Sequence, residues 1–138
     1  MNEPALVPEL SVTDIDASLD FWCRLIGFSV RYSRPEENFA YITLGDAHIM
    51  LDQIAIGRTW LTAPAEKPLG RGINFEVVVP DYTPALERLR AENYPLFVEP
   101  ETQWYRTGDT EIGVQQFLVQ DPDGYLLRLQ MEIGTQGS

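Results

Sequence analysis

The chain has few residues that could build a cross-linked or metal-held structure. Its 138 residues include one cysteine, Cys23, and one histidine, His48. A single cysteine cannot form an internal disulfide, and the sequence has no cysteine cluster of the kind that holds zinc or iron–sulfur centres. A chain of this length buries enough surface to fold without such cross-links, so we expect a single domain over residues 1–138.

Basic residues are also scarce. Ten Lys and Arg stand against 21 Asp and Glu, which gives a formal net charge of −11. Proteins that bind the phosphate backbone need clustered Lys and Arg, so this balance predicts no nucleic-acid partner. An acidic protein suits a cationic ligand, although acidity also serves solubility alone.

Long apolar runs are missing as well. No segment approaches the length of a membrane-spanning helix, and the N-terminus has no basic region followed by an apolar core. These absences predict no membrane partner and a cytoplasmic location. The sequence also shows no nucleophile–base pair and no phosphate-binding loop, so it predicts no catalytic residue.

The most informative stretch is Asp121-Pro122-Asp123-Gly124, which stands between two apolar runs. Proline presets the backbone of a tight turn, the acidic side chains can accept from nearby backbone N–H groups, and glycine suits the exit. The stretch therefore predicts a turn followed by a buried strand. Arg128 does not fit a plain buried strand and needs a separate explanation.

The first half of the chain predicts the order β-α-β-β-β. Residues 5–13 alternate as a strand does, and Ile15, Leu19, Trp22 and Ile26 recur at helical spacing before Gly27. Three further strands follow, over residues 28–32, 39–44 and 47–53.

The second half predicts the same order. A strand over residues 73–79 precedes a helix with Thr83 as its N-cap and Asn93 near its end. Short strands over 95–98, 115–119 and 125–131 follow, with a polar loop or irregular hairpin over 99–113 and a frayed tail over 134–138.

The repeated order indicates a duplication. An offset of 67 residues places Leu10 on Val77, and an offset of 78 places Phe39 on Phe117 and Leu51 on Leu129. We therefore predict an α+β fold with one module over about 5–56, a linker over 57–71 and a second module over about 72–133.

Four short segments resemble the vicinal oxygen chelate superfamily, which includes glyoxalase I, extradiol dioxygenases, fosfomycin resistance enzymes and bleomycin resistance proteins. The segments are residues 10–14, 19–22, 25–28 and 121–125, and the resemblance spans residues 6–131. It implies two βαβββ modules in tandem, whose curved mixed sheets form a cup for the ligand with the helices outside. It also implies a homodimer.

In the metal-dependent members of this superfamily, four positions that face the cup carry metal ligands. The resemblance places them at Val7, Met50, Asn74 and Arg128. Valine has no donor atom, a thioether suits hard or borderline ions poorly, an amide oxygen is a weak neutral ligand, and arginine keeps its proton and its charge. We therefore expect no metal and no cofactor.

Strand alternation predicts which other side chains face the cup. His48, Met50 and Asp52 share one face of a strand, and Arg128 holds the matching face one repeat later. Arg128 could anchor a ligand, or it could be a structural arginine paired with Glu9 or Glu76.

Three loop aromatics, Trp60, Trp104 and Tyr105, could contact a ligand or a second copy, or could pack locally. Ile112 lies in a segment that resembles a loop of the bleomycin resistance proteins, where some members have an aromatic residue. The predicted ligand-binding set is Glu9, His48, Met50, Trp60, Asn74, Glu76, Trp104, Tyr105, Ile112 and Arg128.

The chain looks most like the metal-free bleomycin resistance branch. We therefore predict a non-enzymatic protein that binds and sequesters a small, cationic, aromatic compound without a metal. One alternative is an enzyme of the glyoxalase or dioxygenase type with a displaced metal site built from Glu9, His48, Asp52 and Glu76. Another is a divergent member that binds an unrelated metabolite or a partner.

Overall fold

The computed structural model describes residues 4–57 and 60–137. Residues 58 and 59 of the predicted linker, and Ser138 of the predicted tail, lie outside these ranges. In chain order the elements are β1 Glu9–Val12, α1 Ile15–Leu19 with a π-helical continuation Asp20–Ile26, β2 Ser29–Arg34, a 3₁₀ turn Pro35–Glu37, β3 Phe39–Leu44, β4 Ala47–Gln53, β5 Asn74–Val78, α2 Thr83–Ala91, β6 Val98–Thr107, β7 Thr110–Gln120 and β8 Leu126–Gly137.

The chain forms two compact units. The first runs to Leu69 and also includes Asp121–Gly124, and the second contains Gly70–Gln120 and the chain from Tyr125 onward. The first holds a mixed sheet in the order β1-β4-β3-β2, and the second holds one in the order β5-β8-β7-β6. In each sheet one outer strand runs parallel to its neighbour and the other pairs are antiparallel. The predicted α+β fold with a duplicated βαβββ order is confirmed.

Strand register confirms the two predicted offsets for the parallel pairs. Glu9 pairs with Met50 in the first sheet, and Glu76 pairs with Arg128 in the second. The superposition of Phe39 on Phe117 is wrong, because Phe39 pairs with Asp52 whereas Phe117 pairs with Leu129. Four residues separate the paired Thr43 and His48, but five separate the equivalent Gln120 and Leu126. This extra residue shifts β7 by one position, so Phe39 lies on the opposite face from the one that Phe117 occupies.

The first helix begins and ends as predicted. The Asp14 side chain accepts hydrogen bonds from the N–H groups of Asp16 and Ala17, and Gly27 ends the helix with a φ of 117°. From Asp20 the helix widens to π geometry, and Trp22 becomes fully buried. This helix supplies much of the core of the first unit. No helix in the described part of the chain is long and apolar enough to cross a membrane.

Local predictions for the second half have mixed outcomes. Residues 99–113, predicted as a polar loop or an irregular hairpin, form most of a hairpin, in which β6 pairs with β7 along nearly its whole length with a register shift between Val98 and Glu101. The segment looked like a loop because β6 is an edge strand with mostly exposed side chains, so apolar alternation is weak. The tail is paired rather than frayed, since Thr110 pairs with Gly137. The N-cap position of α2 is Tyr82, and the N–H of Thr83 donates instead to the Asp81 carboxylate.

The turn between β7 and β8 belongs to the first unit, where its two carboxylates are buried. Asp123 accepts from the Thr13 N–H at 3.1 Å and from the Thr13 hydroxyl at 2.6 Å, and Asp121 accepts from the Trp22 indole N–H at 3.1 Å. The ammonium of Lys67 lies 3.6 Å from Asp123. A Cβ on Gly124, whose φ is +100°, would lie 2.5 Å from Pro68. The turn is therefore fitted to the first unit by specific hydrogen bonds and by close backbone approach.

Replacing Asp123 should destabilise the protein strongly. Asp123→Ala removes a buried carboxylate that accepts two hydrogen bonds from Thr13 and lies 3.6 Å from the Lys67 ammonium, and we expect a loss of about 2–4 kcal/mol. Chemical denaturation measures this loss. The matched control is Asp46→Ala in the exposed β3–β4 turn, which should cost less than about 0.5 kcal/mol. Equal losses in the two variants would contradict the role given to Asp123.

Candidate functional site

The first sheet carries its aromatic and charged side chains on one face, which we call the polar face. Cross-strand pairing places Arg34, Phe39, Asp52 and Ser11 in one row. The next row contains Tyr32, Tyr41, Met50 and Glu9. The other face of the sheet carries the buried core residues Leu10, Val12, Ile42, Ile49 and Leu51. Strand alternation alone therefore separates the core from the polar face.

A cavity of about 190 Å³ opens on the polar face. It is bounded by one guanidinium, one buried and one exposed aromatic ring, and three carboxylates. Trp60 is 71% exposed whereas Phe39 is only 4% exposed. The lining residues are Glu9, Arg34, Glu37, Phe39, Asp52 and Trp60.

The carboxylates of the cavity repel one another. Burial raises the pKa of Glu9, and the charge of Asp52 raises this pKa further. Burial also raises the pKa of Asp52, and the charge of Glu37 adds to this effect. Arg34 acts in the other direction on both groups but does not cancel the increase. The cavity therefore has an excess of negative potential that a bound cation would relieve.

Arg34 is held in place from two sides. Its Nε donates to Glu37 at 3.2 Å, and the centre of its guanidinium lies 3.9 Å from the centroid of the Phe39 ring. The hydrogen bond to Glu37 is the main cause of a raised pKa for Arg34. Among the described lining residues Arg34 is the one cation, and it is already engaged with a carboxylate and a ring.

A second aromatic cluster continues the polar face beyond the cavity. The Tyr32 and Tyr41 rings stack with centroids 5.1 Å apart, and the Tyr41 hydroxyl lies 2.7 Å from Nδ1 of His48. His48, predicted to line the cup, is therefore a hydrogen-bond partner of a buried tyrosine. This contact holds the His48 and Tyr41 side chains together on the polar face.

In the second unit, Arg128 is paired with a carboxylate on its own sheet. Its Nη2 lies 3.1 Å from Oε2 of Glu76, and its Nε donates to Oδ1 of Asn74 at 3.1 Å. Parallel pairing of Glu76 with Arg128 brings the two side chains together. Of the two partners predicted for Arg128, Glu76 is the one that bonds to it.

The four positions that hold metal in some relatives do not offer a ligand set here. Val7 and Met50 have no hard donor, and the amide oxygen of Asn74 already accepts from Arg128. The guanidinium of Arg128 would repel a metal cation. Among residues 4–57 and 60–137, no group of three or more His, Cys, Asp and Glu side chains is placed to hold a metal.

The remaining predicted residues lie on the β6–β7 hairpin. Trp104 and Tyr105 are neighbours in a strand, so their rings lie on opposite faces of the sheet. Trp104 lies so close to Gly113 that a Cβ there would be 2.7 Å from the indole. The Tyr105 hydroxyl accepts from Gln116, and Ile112 is the cross-strand partner of Tyr105. A ligand on one face of this sheet could therefore meet only one of the two rings.

The predicted set is thus divided among three places. Glu9, Met50, His48 and Trp60 belong to the polar face and its cavity, Asn74, Glu76 and Arg128 form a bonded group, and Trp104, Tyr105 and Ile112 lie on the hairpin. The sequence reasoning missed Arg34, Glu37 and Phe39. Counting the β3–β4 register outward from the two-residue Gly45-Asp46 turn would have placed Phe39 opposite Asp52 and identified this row.

Comparison with known proteins identifies the family. The sequence model of the Glyoxalase/Bleomycin resistance protein/Dioxygenase superfamily matches residues 6–129. The chain belongs to this superfamily. No curated protein matches the chain.

Three solved structures are similar to this chain. A superfamily member from Vibrio splendidus 12B01 is 35% identical, over 91% of this chain and 95% of its own, with a TM-score of 0.41. TioX from Micromonospora sp. ML1 is 21% identical, over 93% and 98% of the two chains, with a TM-score of 0.70. A virulence protein from Salmonella typhimurium is 16% identical, over 96% and 99%, with a TM-score of 0.69. TioX and the Salmonella protein share the fold of this chain.

The raised pKa values of Glu9 and Asp52 predict a pH effect on stability. A carboxyl whose pKa is raised on folding binds protons more tightly when folded, so stability falls as the pH rises from about 4 through the raised pKa. The double variant Glu9→Gln/Asp52→Asn should therefore be more stable than the natural chain at pH 7.5. We expect a gain below about 1 kcal/mol, because both side chains keep much of their hydration.

Denaturation at a series of pH values checks this effect. The stability difference between the two proteins should shrink as the pH falls and should disappear below about pH 3, where these carboxyl groups are protonated in both states. A double variant that is less stable than the natural chain at pH 7.5 would contradict the assigned repulsion.

Proposed function

We propose that this protein binds and sequesters a small aromatic compound with one cationic amine, in the manner of a bleomycin resistance protein. Binding involves no metal and no bond is made or broken. The observation that carries the proposal is the cavity in which Glu9 and Asp52, both with raised pKa, lie beside Trp60. A carboxylate pair and an aromatic ring are what an amine-bearing aromatic molecule needs.

Charge complementarity supplies the selectivity for a cation. An ammonium group placed between Glu9 and Asp52 gains two charge-assisted hydrogen bonds and removes their mutual repulsion. Trp60 is largely exposed beside this position, and an indole ring attracts a cation or a second aromatic ring. The net charge of −11 raises the local concentration of cations around the whole chain.

The size of the cavity limits what can enter. Its volume of about 190 Å³ is smaller than the roughly 300–1,000 Å³ typical of pockets for drug-sized molecules. A molecule the size of a one-ring amine fits inside. A larger compound such as bleomycin would place only one amine-bearing group there and would have to leave the rest outside.

Support for a metal-free mechanism comes from the donor chemistry of Val7, Met50, Asn74 and Arg128. Asn74 and Arg128 are hydrogen-bonded to each other, and the side chain of Val7 has no polar atom.

The proposal also includes a homodimer, and analytical ultracentrifugation should give twice the chain mass.

Three probes that share a phenyl ring test the proposal. 2-Phenylethylamine is a cation at neutral pH, 2-phenylethanol is its neutral counterpart and 3-phenylpropionate is an anion. In an NMR titration of the ¹⁵N-labelled protein at low salt, the amine should shift the Trp60 indole N–H and saturate in the millimolar range or below, as expected for a ligand of so few atoms. The alcohol should bind about three- to tenfold more weakly, and the acid should not bind.

Variants show whether the cavity is the site. Glu9→Gln/Asp52→Asn should weaken binding of the amine at least tenfold, because both charged acceptors are removed. Asp46→Asn/Glu87→Gln makes the same change in net charge at exposed positions outside the cavity and should change the affinity less than twofold. Addition of EDTA should leave binding intact. An unmoved Trp60 signal at 20 mM amine, or equal binding of amine and acid, would overturn the proposal.

Calorimetry with bleomycin addresses that compound alone. Saturable heat would make bleomycin a ligand. A titration without heat would exclude bleomycin as a ligand. The NMR experiment would still test the binding of smaller aromatic amines.

A further inference from the structure

One end of the cavity already contains a cation. The Arg34 guanidinium lies over the buried Phe39 ring at 3.9 Å, where the face of the ring would attract the positive group of a ligand. Arg34 and Phe39 are cross-strand partners, so sheet register sets this contact rather than a chance side-chain position. The Nε bond to Glu37, three residues later, holds the guanidinium from the other side.

The charges of the cavity leave room for a limited number of further cations. Among the described residues that line the cavity there are three carboxylates, Glu9, Glu37 and Asp52, and one cation, Arg34, so this part of the lining carries an excess of two negative charges when ionised. Arg34 engages Glu37 directly, and within the described lining Glu9 and Asp52 are the pair without a bonded cation. A second positive group is therefore favoured beside Glu9 and Asp52, and the Arg34 guanidinium disfavours one at the Phe39 ring.

We infer that Arg34 is the specificity-determining residue of this cavity: it occupies the aromatic end as a built-in cation and restricts the ligand to a monoamine held at Glu9 and Asp52. This inference rests on the proposed function. It narrows the ligand class to molecules with one positive charge and an apolar ring. Diamines are disfavoured, because their second ammonium would lie against the Arg34 guanidinium.

A different role for Arg34 would be to hold the anionic group of a zwitterionic ligand. The surroundings oppose this role, since an incoming carboxylate would have to approach three carboxylates in the same small cavity. The guanidinium is also covered on one side by the Phe39 ring and bonded at Nε. The two roles predict opposite effects of removing the Arg34 charge, so one experiment separates them.

The experiment compares 2-phenylethylamine with 1,4-bis(2-aminoethyl)benzene, which carries a second ammonium on the same ring. The natural chain, Arg34→Gln and Arg34→Lys are titrated by NMR at pH 7.5 and low salt. Arg34→Gln should tighten binding of the monoamine about three- to tenfold and binding of the diamine more than tenfold. Removing the guanidinium charge lowers its repulsion of the ligand ammonium groups and makes the Phe39 ring available to them. Arg34→Lys keeps the charge and should stay within about threefold of the natural chain.

The matched control is Arg24→Gln. Arg24 lies in the same unit, is exposed and forms a salt bridge with Asp20, so its removal makes the same change in net charge away from the cavity. It should change either affinity less than twofold. Well-dispersed NMR spectra confirm that each variant is folded.

The outcomes separate this inference from the proposed function. Weaker or unchanged binding of both amines to Arg34→Gln, while the natural chain binds the monoamine at Trp60, overturns the role of Arg34 and leaves the proposed function standing. A natural chain that binds neither amine overturns the proposed function itself. If Arg24→Gln tightens amine binding as much as Arg34→Gln does, the change in affinity comes from net charge alone, and the role of Arg34 is also overturned.

Discussion

Two buried carboxylates in one turn are the constraint on which much of this structure depends. Asp121 and Asp123 are almost completely enclosed, and each accepts a hydrogen bond from a residue of the first helix region, Trp22 or Thr13. Burying a carboxylate is costly unless its lone pairs are satisfied, so this turn tolerates few alternative arrangements. Trp22 is fully buried, so the turn and the core of the first unit are specified together.

The candidate site follows from the alternation of side chains along the strands. In the first sheet, one face carries the core and the other carries paired tyrosines, an arginine on a phenylalanine and a pair of carboxylates. The equivalent face of the second sheet carries Arg128 bonded to Glu76 and Asn74. The same register thus holds an open acidic cavity in one unit and a self-satisfied ion pair in the other. This difference is why we propose ligand binding in the first unit.

The sequence predicted the duplicated fold well because buried strands leave a strong signal. Leu10, Leu51, Val77 and Leu129 are all core residues, and their spacing revealed the two parallel strand pairs. For most of β6 it left a loop and an irregular hairpin open, because the side chains of this strand are mostly exposed and so carry little periodicity.

The cavity was predicted only in part. Glu9 and Trp60 were in the predicted ligand-binding set, and Asp52 was placed on the same strand face as His48 and Met50. Phe39 was not, because a one-residue difference between two turns placed it on the core face. Arg34 and Glu37 lie between the predicted strands over 28–32 and 39–44, and only the tertiary fold brings them to the edge of the cavity.

The most direct test of the account is a crystal structure of the protein with 2-(4-bromophenyl)ethylamine, in which bromine marks the ring by anomalous scattering. The account predicts one strong bromine peak beside Trp60, with the amine nitrogen within about 3 Å of the Glu9 and Asp52 carboxylates. A peak beside Arg128 or Tyr105 with none at Trp60, under saturating amine, would contradict it.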